Sequence, residues 1–284
     1  MSGSSVWITP PSHIRTIAEI VEWINAGGLG SAQLLDLEGY AISDGGIQVL
    51  GTVRGLATLT GLNLSSNGIG DDGIGALAES PYLSNLTKLI LTLNQIGDAG
   101  VITLAASPLL RCLRHLDLSS NHIGDVSAQA LSRSPNLVRL VSLDLYWNDG
   151  IGDIGVQALA ASPNLAQLSM LNLGRLLEFA SSAEGDKFAE AVASSPYLTE
   201  LTHLNLMGDA IGDQGARALA SSPVCSRLVE LDLRWNLIGD DGVHALAASR
   251  YLNNLAVLQM QGNSVSHKGE EMLKQRFGLS VMSS

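Results

Sequence analysis

The feature that most constrains this chain is a leucine pair, Leu-x-Leu, that recurs eight times at nearly even spacing and is followed by a ninth copy in which methionine is the second residue, Leu258-Gln259-Met260. The first leucine of each copy stands at Leu35, Leu62, Leu89, Leu116, Leu143, Leu171, Leu204, Leu231 and Leu258. Successive copies lie 27 residues apart, except for one step of 28 and one step of 33 after Leu171. A unit this short cannot bury an apolar face by itself, so neighbouring copies must stack into one continuous core.

Each copy predicts a short strand, a turn and a helix. The alternation in Leu-x-Leu is typical of a strand with one buried face. Ile-Gly-Asp then opens a helix, in which we expect the aspartate to be an N-cap or a first-turn acid, and Ser-Pro ends that helix. Between strand and helix stands an asparagine whose amide can pair the backbone groups of the turn. It occurs in six copies, as Asn67, Asn94, Asn121, Asn148, Asn236 and Asn263.

Stacked copies must curve, because paired strands lie ~4.8 Å apart whereas packed helices need roughly 8–10 Å between axes. The repeat therefore predicts an α/β fold, a right-handed solenoid shaped like a horseshoe. Its nine parallel strands would line the concave face, and its helices would line the convex face.

The repeat unit resembles the leucine-rich repeat of the ribonuclease-inhibitor-like class, over about residues 32–277. Its Ile-Gly-Asp and Ala-Leu-Ala-x-Ser-Pro segments are similar to bacterial arrays of this class. The resemblance implies protein recognition on the concave face. In one branch of the class it implies activation of the small GTPase Ran, but no residue match carries such a site over to this chain.

The ends of the array are predicted to carry caps. Residues 1–31 form an N-terminal capping segment, with a helix that follows Ser12 and ends at Gly27. Residues 32–278 hold the nine copies and a closing helix, and 279–284 form a tail. Six extra residues near 174–182, between strand six and its helix, are either a tolerated loop or a partner-binding loop.

Composition narrows the classes of partner. The formal net charge of −11 argues against nucleic acid and anionic membranes. The longest apolar stretches are shorter than a membrane span, and the first residues lack a signal-peptide pattern. Cys112 and Cys225 lie four copies apart, too far for a disulfide. We therefore expect a cytoplasmic monomer with reduced thiols.

Side chains beside the leucines should face the hollow of the horseshoe. Copies two to four carry mostly Ser, Thr, Asn and Gly there, whereas copies five to eight carry aromatic, methionine and arginine residues, which anchor protein interfaces. The acidic positions either keep the sheet soluble or receive a basic partner, and the tryptophans either contact a partner or pack over the turns as local core. The predicted partner-binding residues are Tyr146, Trp147, Asp144, Met170, Arg175, Phe179, Met207, Asp232, Arg234 and Trp235.

Catalytic signatures are missing from the sequence. It has no glycine-rich phosphate loop, nucleophile elbow or His-Glu-x-x-His motif. His115 and His203 belong to copies about 14 Å apart at ~4.8 Å per strand, so they cannot share a metal. We expect no catalytic residue, metal or cofactor. The sequence favours a protein-binding scaffold that uses the concave face and the insertion after strand six, with a Ran-type GTPase activator or an array without a dedicated ligand as alternatives.

Overall fold

A computed structural model of the chain describes residues 6–175 and 182–278, with the backbone alone for 182–184. Ten strands form one parallel sheet in sequence order. The strands are β1 Trp7–Ile8, β2 Leu34–Asp36, β3 Gly61–Asn63, β4 Lys88–Ile90, β5 His115–Asp117, β6 Ser142–Asp144, β7 Met170–Asn172, β8 His203–Asn205, β9 Glu230–Asp232 and β10 Val257–Gln259. The helices are α1 Ile17–Asn25, α2 Ser43–Leu50, α3 Asp71–Ala78, α4 Asp98–Ala106, α5 Asp125–Arg133, α6 Asp153–Ala160, α7 Ser182–Ala193, α8 Asp213–Ala220, α9 Asp240–Ala247 and α10 His267–Phe277.

The central leucine of each strand forms one continuous buried row. Leu35 pairs in register with Leu62, which pairs with Leu89, and the pattern continues to Leu258. All nine are at most 2 % exposed. From α2 onward each helix packs against the next one along the chain, as expected for a stack of copies. The predicted horseshoe solenoid is confirmed, with strands on its concave face and helices on its convex face.

The prediction of nine strands misses one. The two-residue strand β1 pairs in parallel with β2, Trp7 with Leu34 and Ile8 with Leu35. It has no Leu-x-Leu motif and no copy of its own, so the repeat could not reveal it. Its presence covers the edge of β2, which would otherwise expose unpaired backbone groups.

Turn asparagines join the regular copies. The Asn121 side-chain oxygen accepts a hydrogen bond from the Ile96 amide at 3.1 Å. Its amide nitrogen donates to the carbonyl oxygens of Leu91 and Leu118, both at 3.0 Å. Equivalent bonds recur at Asn67, Asn94, Asn148, Asn236 and Asn263. The predicted role of these residues is confirmed, and each of them links two neighbouring copies.

The aspartates of Ile-Gly-Asp act differently from the prediction in one respect. Asp71 is the first residue of α3, as a first-turn acid should be, but the N-cap of α3 is Gly70. The Asp71 carboxylate instead accepts a hydrogen bond at 2.7 Å from Gly97, the N-cap residue of the next helix. A Cβ at Gly100 would lie 2.5 Å from this carboxylate. The aspartate thus caps its neighbour, which a single copy of the sequence could not show.

The serine of each Ser-Pro pair adds a third link between copies. The Ser107 hydroxyl donates to the carbonyl oxygen of Ala78 at 2.7 Å and accepts from the amide of Leu109 at 3.1 Å. Since α4 ends at Ala106, this serine also marks the helix end that proline predicts. Together, the asparagine, aspartate and serine links fix the register of successive strands.

At the N-terminus the helix starts later than predicted. Thr16, and not a residue near Ser12, caps α1, through a box in which the Glu19 amide donates to Thr16 Oγ1 and the Thr16 amide donates to the Glu19 carboxylate. Prolines at 10 and 11 and the turn that follows them keep residues 10–14 out of the helix. At the other end Gly278, with φ of 89°, ends α10.

Candidate functional site

On the face of the sheet that points away from the helices, the last residue of most strands is Asp or Asn. These side chains form one polar row across the sheet. Here the Asp117, Asp144 and Asp232 carboxylates accept hydrogen bonds from the backbone amides two residues later, at 2.9, 2.9 and 3.0 Å. Asp36, Asn63, Asn172 and Asn205 do the same. The acidic row therefore forms the strand-ending turns, a role that neither sequence interpretation included. Asp or Asn before a turn is the signal that could have indicated it.

Two tryptophans project from the turns that follow β6 and β9. Trp147 and Trp235 have φ of 56° and 54°, the same left-handed backbone conformation as Ser66, Leu93 and Ser120 in earlier copies. They are 49 % and 58 % exposed, so they lie on the surface and are not local core. The Trp235 ring rests on the next copy at Gly262, where a Cβ would lie 2.6 Å from it.

The end of β6 combines an aromatic pair with an acidic pair. The rings of Tyr146 and Trp147 have centroids 6.2 Å apart and a tilt of 58°. Asp144 lies in register beside Asp117 and accepts a hydrogen bond at 3.0 Å from the Asn172 amide. Burial, and then the negative charge of Asp117, raise the pKa of Asp144 to about 6.

The end of β9 holds an internal ion pair. The Arg234 guanidinium grips the Asp232 carboxylate, with Nε 3.0 Å from both oxygens and Nη2 2.6 Å from Oδ2. Asp232 is only 4 % exposed, whereas Arg234 is half-buried. The hydrogen bonds with Asp232, and then the negative charges of Asp232 and Glu230, raise the pKa of Arg234.

Between these two turns the sheet face has a shallow depression of about 140 Å³ over β7, β8 and β9. Met170 and His203 are exposed at its rim, and Met207 is half-buried in the turn after β8. The lining residues are Met170, Leu171, Asn172, His203, Leu204, Asn205, Glu230 and Asp232. The lining combines the apolar residues Met170, Leu171 and Leu204 with polar side chains, and such a mixed lining suits a side chain of another molecule.

One of the predicted partner-binding residues, Arg175, does not join this surface. Arg175 is 6 % exposed, and its Nε lies 2.8 Å from the buried carboxylate of Asp209. Its guanidinium also donates to the Ile151 carbonyl oxygen and lies 4.2 Å from the ring centroid of Phe188. The pair occupies the interior where two copies lack asparagine, so a partner on the sheet face would not reach Arg175. Phe179 lies outside the described residues.

The titratable groups elsewhere do not form a second site. Within the two described ranges, no group of three or more His, Cys, Asp or Glu residues is placed to hold a metal ion. Cys112 and Cys225 are free thiols, and burial raises the pKa of Cys225 to about 12, which keeps that thiol protonated. None of the helices described is both long and apolar enough to span a bilayer.

The fold and this surface define a class: a solenoid of strand–helix copies whose open sheet face is available to another molecule. Comparison with protein families agrees. The sequence profile described as "Leucine Rich repeat" matches residues 55–78, 82–105, 110–132, 140–160, 197–220 and 224–247. The chain is a leucine-rich repeat protein, as its repeat unit predicts.

One solved structure shows the same architecture. A protein from Bacteroides fragilis superposes with a TM-score of 0.56 at 16 % sequence identity, over 84 % of this chain and 70 % of that one. An internalin from Listeria monocytogenes superposes with a TM-score of 0.48 at 20 % identity, over 89 % of this chain and 72 % of that one. At 16 % sequence identity, the likeness to the Bacteroides protein shows a shared fold and no more. A comparison with curated proteins finds no significant match.

Proposed function

We propose that this protein is a non-catalytic scaffold that binds another protein on its concave sheet face, centred on the turns after β6 and β9. The observation that carries the proposal is the placement of Trp147 and Trp235. Both project into solvent from a rigid scaffold, and exposed tryptophan is the residue type most enriched among interface anchors. Tyr146 and Arg234 stand beside them, so each anchor has a polar neighbour.

The concentration of these residues supports the choice of this half of the sheet. The equivalent turn position is Ser66 after β3 and Ser120 after β5, both compatible with a solvated surface. The proposed binding surface comprises Asp144, Tyr146, Trp147, Met170, Met207, Asp232, Arg234 and Trp235. The insertion after β7 adjoins this surface along the chain and would extend it.

Further features of the proposal follow from the chain as a whole. The net charge of −11 favours a protein partner over nucleic acid or an anionic membrane. The helix in each 27-residue copy favours the ribonuclease-inhibitor-like class of bacterial-type repeats. Two free cysteines favour a reducing compartment, the cytoplasm. We infer that the protein acts there as a monomer that presents its sheet face to the partner.

The test is a binding comparison between matched variants. The double variant Trp147→Ser/Trp235→Ser removes both anchors, and Leu93→Ser is the control. Leu93 is 55 % exposed and has the same left-handed backbone as both tryptophans, but it stands in the earlier half of the sheet. Serine is accepted at this position, as Ser66 and Ser120 show.

Immobilised wild-type protein and both variants are exposed to extract from the source cells, and the retained proteins are quantified by mass spectrometry. We expect one or more proteins to be retained by the wild type and by Leu93→Ser, and to be lost with the double tryptophan variant. Equal retention by all three would show that the surface after β6 and β9 is not the binding site. Retention by none would favour an array without a dedicated ligand.

A further inference from the structure

Two turns on the sheet face are built from almost the same five residues. Residues 144–148 read Asp-Leu-Tyr-Trp-Asn, and residues 232–236 read Asp-Leu-Arg-Trp-Asn. In both turns, the aspartate carboxylate accepts a hydrogen bond from the backbone amide two residues later, and the tryptophan has a left-handed backbone conformation. They differ only in the third residue, so each turn shows what the other would do with that residue exchanged.

At β9 the third residue is a cation that the turn itself supplies. The Arg234 guanidinium forms three hydrogen bonds with the Asp232 carboxylate and covers it almost completely. The turn after β9 therefore demonstrates that a guanidinium fits over this carboxylate while the carboxylate still accepts the amide hydrogen bond of the turn. It serves as an internal example of the occupied state.

At β6 the equivalent place holds no cation. Neither Asp144 nor Asp117, its partner in register, forms an ion pair with any residue in the described ranges. Both carboxylates are partly exposed, in contrast to the covered Asp232. Asp144 uses its two oxygens to accept the Tyr146 amide and the Asn172 side chain, and each oxygen keeps a further lone pair.

The absence of a cation has an electrostatic cost. Two carboxylates in register on strands that lie ~4.8 Å apart repel each other more strongly near a protein surface than in bulk water. Their mutual repulsion contributes to the raised pKa of Asp144. A positive charge placed between them would relieve this repulsion. The rings of Tyr146 and Trp147 beside it would add cation–π attraction.

We propose that Asp117 and Asp144, with Tyr146 and Trp147, receive an arginine side chain of the bound protein, seated as Arg234 is seated on Asp232. A guanidinium is the appropriate cation because it is planar, binds carboxylates with two parallel hydrogen bonds and stacks on aromatic rings. The overall charge of −11 complements a basic partner surface. This inference rests on the proposed function and names the partner group that would occupy the β6 turn.

The inference can be tested on the whole protein with a small probe, N-acetyl-L-arginine amide. Its uncharged control is the citrulline amide, which has nearly the same shape. The indole N–H signals of Trp147 and Trp235 are followed by NMR as each probe is added. We expect the Trp147 signal to shift in a saturable way with the arginine amide and not with the citrulline amide. The Trp235 signal should not respond, because Arg234 already fills its turn.

Reciprocal exchanges make the test specific to the geometry. Tyr146→Arg supplies the internal cation at β6, and the Trp147 response should weaken at least about tenfold in apparent dissociation constant. Arg234→Tyr removes the internal cation at β9 and should create a saturable response at Trp235 that is weaker than that of Trp147, because Asn205 and Gln259, and not a second carboxylate, lie beside Asp232 in register. Each exchange places a residue that the other copy already carries, so both turns can accommodate it.

Three results would overturn the inference: no response of Trp147 to the arginine amide, an equal response to the citrulline amide, or an unchanged response in Tyr146→Arg. The proposed function would survive any of them if the double tryptophan variant still lost the retained protein while Leu93→Ser kept it. Conversely, the Trp147 signal could respond saturably to the arginine amide while no protein is retained from the extract. The β6 turn would then bind a guanidinium, and the scaffold proposal would be wrong.

Discussion

Regular copies of this solenoid are joined by a turn asparagine, whereas a buried ion pair occupies the interior where the sixth and seventh copies lack one. Asn121 satisfies backbone groups of the preceding copy with one neutral amide. Where the asparagine is replaced by Leu176 and Asp209, Arg175 reaches the Asp209 carboxylate and the Ile151 carbonyl oxygen. The comparison shows that a charged pair can occupy the place of the neutral amide, although less completely, because the second carboxylate oxygen of Asp209 is buried and accepts no hydrogen bond from the described residues.

The two solutions should differ in their sensitivity to substitution. At about pH 8, above the raised pKa of Asp209, Arg175→Ser leaves the Asp209 carboxylate buried without its partner, and we expect the free energy of unfolding to fall by about 3–5 kcal/mol in urea denaturation. The exposed Arg133 at the end of α5 provides the control, since Arg133→Ser should change stability by less than about 0.5 kcal/mol. If Arg175→Ser lowered the free energy of unfolding as little as Arg133→Ser, the ion pair would not stabilise the contact between the sixth and seventh copies.

A second substitution sharpens this test. Arg175→Ser/Asp209→Asn removes both charges, so no uncompensated charge stays buried. We expect the double variant to recover most of the stability that Arg175→Ser loses, because neutral replacement of a buried ion pair is often tolerated. If the double variant is as unstable as the single one, packing against Phe188 and not charge pairing is the contribution of Arg175.

The regular junctions should show a smaller loss. Asn121→Ala leaves the Ile96 amide and the Leu91 carbonyl group without this partner, and we expect a loss of about 1–3 kcal/mol by the same urea measurement. Asn253 is exposed; its side chain donates to the Arg250 carbonyl oxygen and accepts a hydrogen bond from Arg276 on α10 at 2.7 Å, so Asn253→Ala is the control for an asparagine that loses its hydrogen bonds at the surface. A loss no larger than that of the control would show that the asparagine links contribute little.

The ion pair should also make stability depend on pH. Burial raises the pKa of Asp209 to about 7 in the folded protein, against an ordinary 3.8, although Arg175 opposes the shift. The folded state thus retains a proton that the unfolded state has released, and the free energy of unfolding falls as pH rises from about 4 to about 7. Asp144, raised to about 6, adds to this slope in the same direction.

Urea midpoints at about pH 5 and about pH 8 measure this slope. Asp209→Asn should reduce the difference between the two midpoints, and adding Asp144→Asn should reduce it further. An unchanged difference in Asp209→Asn would assign the pH dependence to other groups.

The smallest effect on stability is expected on the sheet face. Trp147→Ser and Trp235→Ser remove exposed rings from turns whose backbone also accepts serine, so each should change the free energy of unfolding by less than about 0.5 kcal/mol. A loss above 1.5 kcal/mol in urea would indicate that these rings serve packing, as the contact of Trp235 with Gly262 could require.

Most of the architecture could be predicted from the sequence because it depends on periodic leucines and turn residues. What the sequence could not show are contacts between copies. Asp71 caps the next helix and not its own, and Asp144 forms its own turn as well as facing the sheet surface. Strand β1 escapes the pattern because two residues carry no periodicity.

The candidate site was predicted less well, for a similar reason. Exposure of Trp147 and Trp235 depends on which face of the turn they leave, and this follows from a left-handed backbone that the sequence pattern does not state. Arg175 was predicted to bind a partner because arginine is common at protein interfaces. Its burial depends on Asp209, 34 residues away in the chain, which replaces an asparagine.

The central claim is that a protein partner covers the sheet face after β6 and β9. Hydroxyl-radical footprinting of the protein with and without its retained partner tests it most directly. We predict that oxidation of Trp147 and Trp235 falls sharply in the complex, while Ile102 on α4 and Ile154 on α6, exposed on the helical side, are oxidised as before. Protection of Ile102 and Ile154 with unchanged oxidation of the two tryptophans would contradict the claim.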